Sequence, residues 1–122
     1  MNRTSIEQSK RLVEMGLNPL SADFYYRDWK RQTKLIRLVH MGVPTKDDLP
    51  CWSYDRLFEI LTENNIGFEY KHARLSGHEN IEIEVFKFNE EEDYIFRKHF
   101  KSILEAVEYC LENNHIKKEY FD

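Results

Sequence analysis

Apolar residues recur along this chain at two intervals, and the change of interval separates predicted helices from predicted strands. Near the start, Ile6, Ser9, Leu12 and Val13 form a narrow apolar stripe at helical spacing. Thr4 with Glu7 three residues later has the spacing of a capping box, so a helix is expected over about residues 5 to 15. Gly16 supplies a left-handed position after it, Leu17 the apolar contact of a Schellman stop, and Asn18-Pro19 the end. Leu20 to Phe24 reads as one helical turn capped by Ser21. Residues 33–41 alternate loosely and carry β-branched side chains, which fits a strand. Gly42, Val43, Pro44, Asp47, Asp48 and Pro50 mark a loop.

The second half has the firmer signals. Ser53 is a good N-cap, Asp55 sits where the helix dipole favours an anion, and Trp52 before the cap can pack on Leu57 as a hydrophobic staple. Tyr54, Leu57, Phe58 and Leu61 recur at i, i+3, i+4 and i+7, a full core-facing stripe closed by Asn64-Asn65-Ile66-Gly67. Residues 68–74 and 81–88 are strand-like and joined by 75–80, with 94–99 as a third meander strand. Ile81, Ile83 and Val85 alternate with Glu82 and Glu84, one face buried and one wet. Phe86 and Phe88 break that order by lying on the Glu face, which calls for a bulge or for something covering the far end. A last helix over 102–113 is capped by Ser102 and Glu105 and buries Ile103, Leu104, Val107, Cys110 and Leu111, with 115–122 a frayed or extended tail. The expected fold is α+β: one two-layer domain over residues 1–122, with an antiparallel meander sheet of three to four strands packed against two or three helices.

Composition narrows the class. At 122 residues the chain is of one-domain size, and seven Tyr, eight Phe and two Trp supply bulk for a core. Cys51 and Cys110 have no Cys or His neighbours at zinc spacing and read as buried free thiols of a reducing compartment. No apolar run approaches the roughly 20 residues that span a bilayer, and residues 1–8 carry no signal-peptide pattern, so a cytoplasmic setting is expected. The net charge of −4 is unevenly spread: Arg27, Lys30, Arg31, Lys34 and Arg37 crowd the first half, while Glu79, Glu82, Glu84 and Glu90 to Asp93 crowd the second.

Several runs are similar to known sequences. Glu7-Gln8-Ser9-Lys10, Leu12 and Gly16-Leu17, then Ala22-Asp23 and Tyr25-Tyr26, then Leu49-Pro50-Cys51-Trp52-Ser53 with Leu57 and Leu61, then Glu105-Ala106-Val107 and Cys110-Leu111-Glu112-Asn113, resemble small uncharacterised proteins encoded on phages, prophages and mobile elements of gut bacteria. The resemblance implies a mobile-element origin and a cytosolic setting. It brings no activity, ligand or catalytic residue.

Tyr25, Tyr26, Arg27, Trp29, Lys30 and Arg31 form the most suggestive cluster. Aromatic rings beside cations suit a protein-recognition surface, and the same parts, extended to Arg37, suit a groove for single-stranded nucleic acid. The competing account is that the rings fill the core and the cations stay in water. The acidic group would need convergent oxygens to hold a cation, and the pattern of a calcium loop is absent. His40, His72, His78, His99 and His115 form no His-x-x-x-His pair, and no serine elbow, phosphate loop or dinucleotide fingerprint is present, so no catalytic set, metal or cofactor is expected. The reading is a non-catalytic protein-binding module with a host or mobile-element partner, with nucleic-acid binding through 25–37 as the alternative. The packing stripe makes its own test: Leu57→Ala should cost about 2–5 kcal/mol in denaturant unfolding, and a loss below about 1 kcal/mol would contradict it.

Overall fold

The computed structural model describes residues 2–27, 37–40, 47–75 and 78–116. In chain order these form α1 (Ile6–Glu14), a 3-10 turn (Pro19–Ser21), β1 (Phe24–Arg27), β2 (Arg37–His40), β3 (Leu49–Cys51), α2 (Tyr54–Glu63), β4 (Gly67–Leu75), β5 (His78–Phe88), β6 (Tyr94–Phe100) and α3 (Ile103–Glu112). The class is α+β, with two antiparallel sheets and helices packed on them. The expected meander is present as β4-β5-β6, and a second three-stranded sheet, ordered β2-β1-β3, stands apart from it. The contacts resolve two compact units, one ending at Leu57 and the other Phe58–Ile116.

The first unit is built on α1 and the sheet β2-β1-β3. Ser5, not Thr4, caps α1: its hydroxyl accepts from Gln8 N–H at 3.1 Å while Gln8 Oε1 accepts from Ser5 N–H at 2.8 Å. Thr4 is unavailable for that role because it is fully buried, with its hydroxyl 2.8 Å from Ser9 Oγ and accepting from Trp52 N–H at 3.1 Å. The turn at Pro19–Ser21 is capped by Asn18, whose Oδ1 accepts from Leu20 N–H, rather than by Ser21, and Phe24 already belongs to β1. Pro50 lies in β3 rather than in a loop. Among the described residues β3 is an edge strand paired with β1, a place where a proline without its N–H is tolerated, and Leu49 and Cys51 on either side are buried. Of the strand expected over 33–41, Arg37–His40 pairs with β1; residues 33–36 and Met41 lie outside the described residues.

In the second unit β4 and β5 pair from Gly67↔Phe86 to Leu75↔His78, a tighter hairpin than the predicted connection over 75–80. Strand β5 then pairs with β6, with an irregularity at Lys87/Phe88 that leaves Ile95 as the extra residue. One face of this sheet carries the helices. Phe58 of α2 meets Phe68 at 4.4 Å between centroids, and Tyr109 of α3 meets Phe96 and Phe100 at 5.4 and 5.5 Å. Ile83 and Val85 are buried on this side with Ile103, Val107, Cys110 and Leu111. The start of the expected tail is docked: Ile116 is buried, and His115 lies against Phe96 at 4.4 Å.

All three helices stop in the same way. Gly16, Asn65 and Asn114 have φ of 97°, 59° and 58°, the left-handed conformation of a C′ residue. The two backbone bonds of a Schellman motif accompany each, for example Leu17 N–H to Leu12 C=O and Gly16 N–H to Val13 C=O, both at 3.0 Å. Asparagine tolerates this region better than alanine does. Asn65→Ala and Asn114→Ala should therefore each lower stability by about 1 kcal/mol in urea unfolding, while the Gly variants should not lower it.

Candidate functional site

The predicted recognition cluster divides. Tyr25 and Tyr26 are 7% and 8% exposed, so both rings belong to the core. Tyr26 packs with Leu49 and Cys51 against Ile6 and Phe24, and its hydroxyl donates to Thr4 C=O at 2.7 Å. Burial pushes the Tyr26 hydroxyl above its ordinary range, with Cys51 beside it adding to the effect. Arg27 faces Asp48 with two nitrogen–oxygen distances of 3.4 Å, and its guanidinium lies 5.4 Å from the Tyr25 ring centre. Trp29, Lys30 and Arg31 lie outside the described residues.

Beneath these residues the first unit holds a polar cluster that chemistry could have used. Ser53 Oγ bonds to Asp23 Oδ2, accepts from Arg56 N–H at 3.1 Å and so caps α2, while Ser53 N–H donates to Asp23 Oδ1 at 2.9 Å. Arg56 Nε donates to Ser21 C=O at 2.7 Å, and Trp52 Nε1 donates to Ser21 Oγ at 3.0 Å. Each contact fastens the 3-10 turn and β1 to the start of α2. Together these bonds make the cluster a structural clasp between the turn and the helix start. Cys51 is fully buried and donates weakly to Thr4 C=O at 3.4 Å; burial raises its thiol and keeps it protonated.

The richest surface lies on the side of β4-β5-β6 away from α2 and α3. Period-two alternation sends Glu82, Glu84, Phe86 and Phe88 there from β5, and pairing places Glu69 opposite Glu84 and Arg97 opposite Phe86. Glu84 is buried on this face. Its Oε1 accepts from Arg97 Nε at 2.7 Å and its Oε2 lies 2.9 Å from His99 Nε2, while His99 Nδ1 lies 3.4 Å from Glu82 Oε2. Glu84 in turn holds the Arg97 guanidinium more firmly protonated than usual, chiefly through that hydrogen bond. Phe86 stays on the Glu face because the irregularity falls one residue beyond it. Its ring lies over Gly67, where a Cβ would stand 2.6 Å from Phe86 Cζ, so any larger residue there would force that ring to shift.

Past Phe86 the face becomes aromatic and open. Phe88 and Tyr94 stack at 4.6 Å between centroids, Phe86 meets them edge-on at 5.6 and 6.3 Å, and Arg97 lies 5.3 Å from the Tyr94 ring centre. Phe88, Tyr94 and Ile95 are 46%, 49% and 50% exposed. Neighbouring apolar side chains left half in water are a mark of a contact surface. Sequence reasoning placed Phe86 and Phe88 on the Glu face but did not nominate them, because the stacking partner Tyr94 is fixed only by the β5–β6 register. Among the described residues no group of three or more His, Cys, Asp or Glu is placed to hold a metal ion, and no helix is long and apolar enough to cross a membrane.

The cysteines give a direct check on chemistry. Burial raises the Cys110 thiol to about 12 and also raises Cys51, so native protein should leave both unmodified by a thiol reagent near pH 8, and unfolded protein should expose two. Because the folded value lies above the unfolded one, the stabilising contribution of Cys110 is complete below about pH 9 and is lost as pH rises towards about 12. Prompt labelling of either thiol in native protein would contradict this burial. Comparisons with protein-family models, with curated proteins and with solved structures found no match to this chain.

Proposed function

We propose that this protein is a non-catalytic protein-binding module whose contact surface is the aromatic end of the β5–β6 hairpin. The observation that carries the reading is the stacked pair Phe88 and Tyr94, with Ile95 next to Tyr94 in sequence, each about half exposed. Such rings lose little conformational freedom on binding and offer large apolar area, which is why aromatic residues concentrate at the energetic centres of protein interfaces. Phe86 and Arg97 brace them from the side, so the surface is ordered before a partner arrives. The sequence resemblance implies a mobile-element origin and a cytosolic setting, and a host or mobile-element protein is the partner proposed. The nucleic-acid alternative drew on Tyr25 and Tyr26 as stacking platforms, and both rings are buried.

Affinity capture tests this with a paired bait. Wild-type protein and the double variant Phe88→Ser/Tyr94→Ser, each confirmed folded by circular dichroism, are exposed to the same host lysate. A protein retained by wild type should be lost, by about tenfold or more, from the double variant, since removing two central rings typically costs more than 1–2 kcal/mol of binding. Capture that is indifferent to the rings, or no enrichment at all, contradicts the proposal.

A further inference from the structure

The ring cluster is bordered by a turn of one charge sign. Residues 89–93 comprise one Asn and four acids with no Lys or Arg, and all five are exposed. Phe88 and Tyr94 flank this turn directly in sequence and stack on each other, so the acids stand at the edge of the open rings. The rings already receive one cation from their own chain, the guanidinium of Arg97 over Tyr94. The second unit as a whole, Phe58–Ile116, holds six Lys or Arg against thirteen Asp or Glu. A purely apolar partner would gain nothing from this acidic border, an acidic one would be repelled by it, and nucleic acid would meet like charge.

Resting on the protein-recognition reading above, we propose that the segment docking on Phe88, Tyr94 and Ile95 is basic: a stretch of a partner protein carrying arginine or lysine among apolar residues. Its apolar side chains and alkyl stems cover the rings, a cation stacks on the open face of Phe88, and further cations face Glu90, Glu91 and Asp93. Complementary charge of this kind raises the encounter rate and rejects wrong partners more than it adds affinity.

Two synthetic peptides of equal length serve as probes, one alternating Arg with Leu and Gly and the other with Glu in place of Arg. Each is titrated into the full isotope-labelled chain and read by amide chemical shifts. The Arg peptide should move the amides of residues 88–95 first, the Glu peptide should move none of them, and binding of the Arg peptide should weaken by about fivefold or more in Glu90→Gln/Glu91→Gln/Asp93→Asn and on raising salt. The inference is overturned by equal binding of the Glu peptide, by no shift at all, or by shifts spread equally over the exposed Glu105 and Glu112 of α3. It is also overturned if diluting the chain alone moves residues 88–95, which makes a second copy the occupant. Ring-dependent capture of a partner whose binding ignores the charge variants would remove the basic segment and leave the recognition reading standing; ring-independent capture removes the recognition reading itself.

Discussion

A strand has two faces, and one face of β5 lies under α2 and α3. The hydrophobic effect settles the first: Ile83 and Val85 are buried on the side where α2 and α3 pack through Phe58 and Tyr109. The period of two then leaves no choice about the second. Glu82, Glu84, Phe86 and Phe88 must share the other face, and three different solutions keep it folded. Glu84 is buried and ion-paired with Arg97 through Oε1, with His99 beside its other oxygen, Phe86 closes over Gly67, and Phe88 stacks on Tyr94. Only the last leaves large apolar surface in water, so the contact surface proposed here is the residue of that constraint.

The first unit solves a different problem, which is how to bury polar groups without stranding them. The segment before α1 runs beside the start of α2, with Thr4 N–H donating to Trp52 C=O at 2.9 Å and Tyr54 N–H to Asn2 C=O at 3.0 Å. Thr4, Ser9, Ser21, Ser53 and the Trp52 indole are all within hydrogen-bonding contact of one another or of backbone. A buried hydroxyl that lacked such a partner would cost about 1–3 kcal/mol. This clasp therefore stabilises the unit through satisfied polar groups, and it occupies the serine and threonine hydroxyls that a catalytic reading would otherwise have wanted.

Local signals along the chain carried the helices and their ends well. Ser53, Ser102, Gly16 and the Asn pairs at 64–65 and 113–114 act through bonds within a few residues, so their roles could be read before any tertiary contact was known. The N-cap of α1 moved from Thr4 to Ser5 because the competing demand on Thr4 comes from Trp52, 48 residues away. Strand β3 was hidden because Pro50 signals a loop, and only its edge position makes it harmless. The proposed contact surface was missed for a similar reason. Tyr25 and Tyr26 look available beside so many cations, yet both are buried, Tyr26 against Ile6 of α1 and Leu49 and Cys51 of β3; Phe88 and Tyr94 look ordinary until the register of β5 and β6 stacks them.

The central claim is therefore about which tyrosines meet water. Photochemically induced nuclear polarisation reports ring accessibility residue by residue when assignments are made with Tyr→Phe variants. Tyr94 should polarise strongly with a soluble flavin dye, and Tyr25 and Tyr26 should stay silent, in keeping with 49%, 7% and 8% exposure. A silent Tyr94 together with a polarised Tyr26 would move the open aromatic surface back to β1 and contradict the account.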